Sequence, residues 1–481
     1  MSNRKLSEKS KGLLEVLSSH YVVLAITMLI SFILPLRISV AQYGRWQLFS
    51  LIISYAGFFA LGFNDGIHIN YSGQEYNNKY HKVFRFFRLF IELMALFGTI
   101  ASLLIITLFR DCLQDRYILF VIASFNIIPV LINGFFAYVN QGTMRFSIFA
   151  KANVLEKLLY VVMMAVLLIV GVKNAIYYCI AYTVARYFVI IYNYLKSKEL
   201  LGKAPYGFNE MKPYVLNNFI VGFSLMLATI CNQSIIVPGR LLVENRYGIE
   251  AFSCYSFAIN TMVIANQVTT ALSQVFFPSM KKAKAESFIN LFIVLDKTIS
   301  LLAIALLFTY YPVYLLIRFI YPEYSTVLDY LYCIYPLFVY SSKSALLVIN
   351  TYNKNADSKK LLFNNLLGVV INLVFVLFAH LCFGSVFSIA IFSLIGYMLW
   401  YYLCYFNILR NMNVGYSSSQ IVDVIVVAIF IVINALSIIK FENNSLLVSA
   451  ICFMIVTVFG YFLFNNYCKT TIKGFLNFMN N

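Results

Sequence analysis

Charged side chains are scarce in this sequence. Asp, Glu, Lys and Arg make up 11% of the 481 residues, whereas a soluble globular domain carries about 25%. So few charges cannot cover the surface of a chain of this size in water. Hydrophobic residues make up 61% of the chain, and its mean hydropathy is +0.81. The composition therefore excludes an ordinary soluble fold and favours a membrane protein.

Metal-binding and redox motifs are also lacking. The four histidines are scattered, and the spacings of the nine cysteines match neither a zinc site nor a redox pair. Most of the cysteines fall inside or close to apolar runs: Cys179, Cys231, Cys254, Cys333, Cys404 and Cys452. We therefore expect no metal, no cofactor and no disulfide framework.

Long continuous apolar runs are abundant. A hydrocarbon core ~30 Å thick needs roughly 20 apolar residues per helix, and the runs lack the alternation of membrane β-strands. We therefore predict an all-α polytopic membrane protein with about 14 transmembrane helices. The predicted spans are Val16–Leu36, Trp46–Phe63, Phe86–Phe109, Tyr117–Val139, Val154–Val172, Ala175–Leu195, Tyr214–Val237, Ala251–Leu272, Phe288–Tyr311, Val327–Ile349, Leu361–Leu381, Val386–Leu409, Ile421–Ile439 and Leu446–Phe464. No small-residue cleavage site follows the first run, which is interpreted as a membrane helix and not as a signal peptide.

The net charge of +17 is distributed unevenly between the loops. Loops on the side of the N-terminus carry more than twice as many Lys and Arg residues as loops on the opposite side. Cytoplasmic loops are the basic ones in membrane proteins, so both termini are predicted to be cytoplasmic. Because the cations lie mostly in short loops, membrane orientation explains them, and we expect no nucleic-acid partner.

The two halves of the chain show signs of an internal repeat. Three short matches recur in order at nearly the same offset: Tyr43–Gly44 with Tyr247–Gly248, Leu89–Leu93 with Leu291–Leu295, and Leu158–Val162 with Leu366–Val370. The matches are six spans apart, so the halves share one orientation, as in transporters built from parallel repeats. We predict two pseudo-symmetric six-helix lobes, 1–212 and 213–412. Residues 413–481 then hold two further helices and a cytoplasmic tail.

Two cations inside apolar spans are the strongest site candidates. Arg186 lies near the middle of the sixth span, where an arginine costs about 2.5–3.5 kcal/mol on the translocon scale. It either meets an anion in a wet cavity or pairs with a carboxylate or carbonyl between helices. Lys343 lies among serines in the tenth span, which favours a polar surrounding. One cation from each lobe suits a central anion site. Arg240, at the outer end of the seventh span, is either a further substrate contact or an interfacial anchor.

Several acidic residues are candidates for ion coupling or for structural pairing. Glu92 follows Arg88 by four residues, a spacing that predicts a local ion pair on one helix. Asp65 falls in an Asn-Asp-Gly sequence that is typical of a turn, and we place it at the inner end of the second span. Asp296 and Lys297 are adjacent in the ninth span and point to a cavity or to a helix interface.

Three segments of the sequence resemble a known family: Leu34–Ile67, Gly239–Met280 and Phe319–Val339. The cues in the first segment are Tyr43–Gly44 and Trp46. The resemblance is to the O-antigen and polysaccharide flippases, a branch of the multidrug/oligosaccharidyl-lipid/polysaccharide exporter superfamily. It covers most of the chain in order.

The resemblance implies twelve to fourteen helices in two lobes and no enzymatic activity. It implies that an undecaprenyl-diphosphate-linked oligosaccharide moves from the cytoplasmic to the periplasmic leaflet of a bacterial inner membrane. Membrane lipid, a polysaccharide polymerase and a chain-length regulator are the implied partners. A diphosphate needs a wet cationic cavity, which Arg186 and Lys343 are expected to provide. Family members commonly carry an acidic residue where Gly239 precedes Arg240 here, so only the cation is retained.

Two alternatives stay open at this point. A multidrug or cation antiporter of the same superfamily would favour an acidic cavity, whereas the deepest clear charges here are positive. A membrane polysaccharide polymerase would need a sizeable periplasmic loop, and the predicted spans leave no long loop on the outer side.

Overall fold

The computed structural model describes residues 18–19, 21–72, 78–113, 116–203, 206–355, 357–415, 419–441, 445–463 and 469. Every regular element within these ranges is helical. The chain divides into two compact units, Met1–Ile230 and Cys231–Asn481, called the N-terminal and the C-terminal unit below. The predicted lobe boundaries at 212 and 412 and the repeat between the halves stay predictions.

The N-terminal unit is built from ten α-helices in the described ranges, with short 3-10 helices at Ala56–Ala60 and Lys198–Leu200. The α-helices are α1 (Tyr21–Leu36), α2 (Val40–Ser54), α3 (Phe63–Tyr71), α4 (Asn78–Leu108), α5 (Arg110–Leu113), α6 (Tyr117–Phe125), α7 (Ile127–Gly142), α8 (Phe146–Ile169), α9 (Ala175–Lys196) and α10 (Phe208–Ser234), the last of which runs into the next unit. A core of phenylalanines and aliphatic side chains from α3, α4 and α7 holds this unit together.

The C-terminal unit contains the remaining described helices. They are α11 (Val237–Lys282), α12 (Ala285–Leu307), α13 (Tyr310–Ile320), α14 (Leu331–Ile334), α15 (Leu337–Lys343), α16 (Asn350–Lys354), α17 (Ser358–Phe383), α18 (Val386–Met412), α19 (Ser419–Phe441) and α20 (Ser445–Leu463). Between α15 and α16 the backbone forms a π-helix, Ser344–Ile349. α11 is interrupted at Gly248, where φ is 87°, a left-handed conformation that glycine adopts without steric cost.

Within the described residues, ten helices are long and apolar enough to cross a membrane, or up to eleven with one bent pair. Two shorter apolar helices, Tyr21–Leu36 and Ser445–Gly460, lie where the first and the last spans were predicted. Lipid favours helices because each satisfies its own backbone hydrogen bonds. The prediction of an all-α polytopic membrane protein is confirmed.

The second predicted span is broken, which corrects the placement of Asp65. The chain bends by 64° between Val40–Ala60 and Phe63–Tyr71, because Leu61 and Gly62 both adopt positive φ. Asp65 therefore lies in the first helical turn of α3 and not in a non-helical turn that ends the second span. Gly66 in the Asn-Asp-Gly sequence allows close helix packing: a Cβ at this position would lie 2.0 Å from the carbonyl oxygen of Asn218 on α10.

The tenth predicted span forms the centre of the C-terminal unit. Its counterpart, Leu331–Lys354, has 83% of its apolar stretch buried, against 17–50% for the other nine long apolar helices in the described residues. Lys343 ends α15 in this span, at the point where the π-helix begins. A lysine therefore lies in the most buried of these helices.

Candidate functional site

The first charged cluster lies in the N-terminal unit, on the antiparallel neighbours α8 and α9. α8 ends at Ile169, two residues before Gly171, whose φ is 79°. Asn174 precedes α9 and caps it, because its side chain accepts from the N–H of Ile176. Glu156 on α8 and Arg186 on α9 both lie roughly 17–20 Å from this turn by helix rise. The tight connection therefore brings the two side chains to the same depth.

One carboxylate forms ion pairs with two cations in this cluster. Arg186 Nε lies 3.3 Å from Glu156 Oε1, and Lys157 Nζ lies 3.2 Å from the same oxygen. We call Glu156, Lys157, Tyr182 and Arg186 the Arg186 cluster. Its three charged side chains are 16–21% exposed. The cluster therefore has one uncompensated positive charge and is not sealed from its surroundings.

Tyr182 holds the two cations together. It precedes Arg186 by four residues on α9, so both side chains lie on one face. The Arg186 guanidinium carbon is 4.8 Å from the centre of the Tyr182 ring, and Lys157 Nζ is 5.1 Å from it. Such cation–π contacts offset part of the repulsion between the cations. The Tyr182 hydroxyl donates to Glu156 Oε1 at 3.4 Å and accepts from Lys157 at 3.2 Å.

A second layer of side chains fixes α9. Asn133 on α7 donates to the carbonyl oxygen of Arg186 at 3.0 Å, and Asn193 donates to Asn133 at 3.0 Å. Tyr160 packs edge-on against Tyr182 and accepts a 2.9 Å hydrogen bond from Trp46. These contacts leave the guanidinium little freedom to turn away.

Arg186 retains unused hydrogen-bonding capacity. Its Nη1 is buried and finds no hydrogen-bond acceptor among the residues that the structure describes. A planar guanidinium donates two parallel hydrogen bonds to a phosphate or carboxylate group. The Arg186 cluster therefore has both the surplus charge and the free donor that recognition of an anion requires.

The second charged cluster lies in the C-terminal unit and is closed. Lys343 Nζ donates to Asp296 Oδ1 on α12 at 2.8 Å and also to Asp423 Oδ2 on α19. The side chains of all three residues, which we call the Lys343 triad, are 0–1% exposed. The Lys343 ammonium is thus already balanced by carboxylates in this conformation. Its predicted role in substrate binding stays a prediction.

Asp296 is the best-satisfied member of the triad. Besides Lys343, its carboxylate accepts from the hydroxyl of Tyr405 at 2.9 Å, from the amide of Gln420 at 2.7 Å and from the hydroxyl of Ser419. The donors come from α15, α18 and the first turn of α19. Asp296 therefore links its own helix, α12, to three others.

The other predicted candidates have separate local partners. Arg88 and Glu92 form an ion pair at 3.4 Å, as their spacing predicts, and Glu92 also accepts from the hydroxyl of Tyr194. Asp65 accepts a 3.3 Å hydrogen bond from the hydroxyl of Tyr138. None of these contacts includes a member of the Arg186 cluster.

Arg240 and Lys297 lie in the C-terminal unit. Arg240 Nε and Nη2 donate to Ser256 Oγ at 3.3 and 3.1 Å, and its guanidinium lies 5.4 Å from the centre of the Phe252 ring. Lys297 is half-buried on α12, next to Asp296. These contacts do not test the predicted roles of Arg240 and Lys297, which stay predictions.

Sequence reasoning missed Glu156 and Asp423, two of the three carboxylates that meet the predicted cations. Each lies inside a predicted apolar span, where an ionisable side chain is costly. Arg186 and Lys343 each called for a counter-charge on another helix. A search of the apolar spans for carboxylates would have found both, although it could not have assigned the pairs.

The described residues contain no group of three or more His, Cys, Asp or Glu side chains arranged to hold a metal ion. The described cysteines are free thiols. The N-terminal unit contains a cavity of 580 Å³ lined in part by Arg45, Arg110, Asp111 and Tyr117, and an apolar cavity of 450 Å³ beside α2, α4 and α6. Neither cavity is lined by a member of the Arg186 cluster.

Comparisons with known proteins give matches among solved structures only. No family model matches the sequence, and no curated protein matches it. An outward-facing multidrug resistance MATE family transporter of the MOP superfamily matches with a TM-score of 0.60 and 13% identity, over 84% of this chain and 96% of that chain. An inward-facing MATE family transporter matches with 0.58 and 13%, over 82% and 98%.

A third match is a MOP superfamily transporter from Pyrococcus furiosus, described as having a binding pocket of reverse polarity that suggests a different function. Its TM-score is 0.59 at 12% identity, over 84% of this chain and 96% of that chain. At such low identity the likeness shows the fold alone. The chain has the fold of the matched transporters, and this likeness does not distinguish between branches of their superfamily. With ten long apolar helices in its described residues, it is a multi-pass membrane protein.

Proposed function

We propose that this protein is a membrane transporter that moves an undecaprenyl-diphosphate-linked oligosaccharide across a bacterial inner membrane by alternating access. The substrate travels from the cytoplasmic to the periplasmic leaflet, and both protein termini lie in the cytoplasm. The observation that carries this proposal is the Arg186 cluster, which combines two cations with one carboxylate on two apolar helices.

The charge of the cluster favours a phosphorylated substrate. An uncompensated charge inside a membrane span is costly, so such residues usually face a partner or water. A diphosphate group brings the missing negative charge, and the unpaired Nη1 of Arg186 offers it a donor. The partial exposure of Arg186, Lys157 and Glu156 leaves them reachable. The polyprenyl tail requires no protein contact, because it is soluble in the surrounding lipid.

Export of drugs is the second candidate function. Two of the matched structures are multidrug resistance transporters, and this likeness favours drugs over a lipid-linked sugar. Another matched transporter is itself described as having a pocket of reverse polarity and a suggested different function, so the fold does not choose the substrate. A cationic drug would be repelled by the surplus charge of the Arg186 cluster, and for this reason we place the anionic substrate first.

We propose transport without a catalysed reaction, in line with the transporters that share the fold. A polysaccharide polymerase and a chain-length regulator are the proposed partners, because a translocated oligosaccharide must be joined to others outside the membrane. Neighbouring membrane lipid is the second partner class.

Deletion and complementation test the proposal. We expect the deletion strain to lose surface polysaccharide and to accumulate the lipid-linked oligosaccharide in the cytoplasmic leaflet. Wild-type protein and Lys360→Ala, at a 65% exposed position outside the cluster, restore export. Arg186→Ala reduces export at least tenfold at equal protein level, whereas Arg186→Lys is milder.

Three outcomes contradict the proposal. The first is normal surface polysaccharide in the deletion strain, when no second transporter compensates. The second is full export by Arg186→Ala, which removes the anion site. The third is drug sensitivity of the deletion strain that Arg186→Ala protein corrects in full, which establishes the multidrug function instead.

A further inference from the structure

The Lys343 triad has an unbalanced count of charges. It contains one ammonium and two carboxylates, and the three side chains are 0–1% exposed. If both carboxylates were ionised, the triad would hold a net negative charge with no exposed surface, which costs several kcal/mol. Buried groups avoid such a cost by binding a proton. Charge balance therefore requires one proton on one of the two carboxyl groups.

Hydrogen bonding selects the carboxyl group that carries the proton. Asp296 accepts hydrogen bonds from a lysine, a tyrosine, a serine and a glutamine, so both of its carboxylate oxygens are already occupied by donors. Asp423 accepts from Lys343 through Oδ2, while its Oδ1 is buried without a hydrogen-bond partner in the described part of the chain. A proton is therefore better placed on Asp423 than on Asp296.

The hydroxyl oxygen of Ser300 can accept a hydrogen bond from a protonated Asp423. Ser300 lies beside the Asp423 carboxyl group and donates its own hydroxyl hydrogen to the backbone carbonyl of Asp296 at 3.1 Å. Its oxygen therefore remains able to accept from a protonated carboxyl. The other titratable groups that face Asp423 are the phenols of Tyr340, Tyr401, Tyr402 and Tyr405. Phenols titrate near pH 10, so none of them competes with a carboxyl for the proton at neutral pH.

The Lys343 triad lies where a helix movement would change its contacts. Lys343 ends α15 at the start of the π-helix Ser344–Ile349, and π-helical turns within α-helices occur frequently at functional sites. Asp423 lies on α19, in the pair of helices that the sequence places outside the internal repeat. The triad thus connects α12, α15 and α19, and the charge on Asp423 decides how strongly α19 is held.

We infer that Asp423 is the exchangeable proton carrier of a proton-binding site formed by the Lys343 triad. With the triad closed, Asp423 is a neutral acid and Lys343 pairs with ionised Asp296. When α19 moves and water enters, Asp423 releases its proton to water and becomes a carboxylate, while Lys343 keeps its charge. The use of this cycle to drive export rests on the proposed transport function, whereas the bound proton does not.

Infrared spectroscopy tests the bound proton directly. The full-length protein in lipid nanodiscs is titrated with base, and the carbonyl stretch of protonated carboxylic acids is followed. We expect a band that decreases as pH rises in the wild type and is missing from Asp423→Asn. The matched control Asp357→Asn, which removes a carboxylate paired with exposed Lys360, keeps the band. If Asp423→Asn does not fold, Asp423→Ser replaces it, since serine also lacks the carboxyl group.

The result that overturns the inference is an acid band of equal intensity in wild type and Asp423→Asn, or a wild-type band that does not change with pH. Export is then measured in the complemented deletion strain, where Asp423→Asn is expected to lower export at least tenfold at equal protein level. Normal export by Asp423→Asn contradicts the coupling role. A lost infrared band in a protein whose deletion leaves surface polysaccharide intact refutes the proposed function but keeps the proton site.

Discussion

The Arg186 cluster of the N-terminal unit and the Lys343 triad of the C-terminal unit, both within the described residues, compensate a cation inside an apolar helix in opposite ways. The Arg186 cluster holds two cations against one carboxylate, and its charged side chains are 16–21% exposed. The Lys343 triad holds one cation against two carboxylates and is sealed. A charge in an apolar span must find a partner. The Arg186 cluster leaves one positive charge without a carboxylate among the described residues, whereas the Lys343 triad adds a second carboxylate to its single cation.

The difference teaches that a lysine or an arginine inside a span does not by itself mark a binding site. Arg186 keeps a buried donor without a partner in the described residues, whereas Lys343 donates to carboxylates on two other helices. Accessibility and charge balance distinguish the partly exposed, positively charged Arg186 cluster from the fully buried Lys343 triad with its second carboxylate.

The largest expected effect on stability comes from removing the cation of the Lys343 triad. Lys343→Ala leaves Asp296 and Asp423 buried without their cation, and removing one partner of a buried pair costs about 3–5 kcal/mol. Arg186→Ala leaves Glu156 with Lys157 and with partial solvent access, so we expect a cost of about 1 kcal/mol or less. The midpoint of thermal unfolding in detergent compares the two variants. Equal losses of stability would show that the two clusters do not differ in the way proposed.

A smaller effect is expected when the charge surplus of the Arg186 cluster is increased. Glu156→Gln removes the only carboxylate of the cluster and leaves two cations, so inorganic pyrophosphate should bind more tightly by severalfold. Binding is read as the rise in thermal midpoint at rising pyrophosphate concentration, at low salt because exposed charges are screened by ions. Asp357→Asn serves as the control and should match the wild type. Weaker binding by Glu156→Gln would mean that the carboxylate, and not the surplus charge, organises the site.

The smallest expected effect concerns the aromatic ring between the cations. Tyr182→Phe keeps the ring and loses only the hydroxyl contacts, so we expect about 0.5 kcal/mol of destabilisation, the low end for a partly exposed hydrogen bond. Tyr182→Leu also loses the ring face under both cations, which adds about 0.5 kcal/mol at partly exposed positions. Chemical unfolding curves of both variants measure the difference, with exposed Tyr177→Phe as the control. Identical curves for the phenylalanine and leucine variants would show that the ring face contributes nothing.

Local patterns predicted much of the fold. Apolar runs predicted the helices, because the hydropathy of a segment depends only on the residues within it. The final predicted span, Leu446–Phe464, for example, corresponds to α20, Ser445–Leu463. The ion pair between Arg88 and Glu92 followed from helix periodicity alone. The break at Leu61 and Gly62 did not, because it depends on the close approach of α3 and α10.

The sequence by itself determined that this is a helical membrane protein and that Arg186 and Lys343 lie where a charge is costly. Only the tertiary structure decided how each cost is met. Glu156 reaches Arg186 from 30 positions away, and Asp423 reaches Lys343 from 80 positions away. Hydropathy and helix periodicity carry no information over such separations. Which helices pack together, and hence which cation stays open and which is closed, is set by the fold.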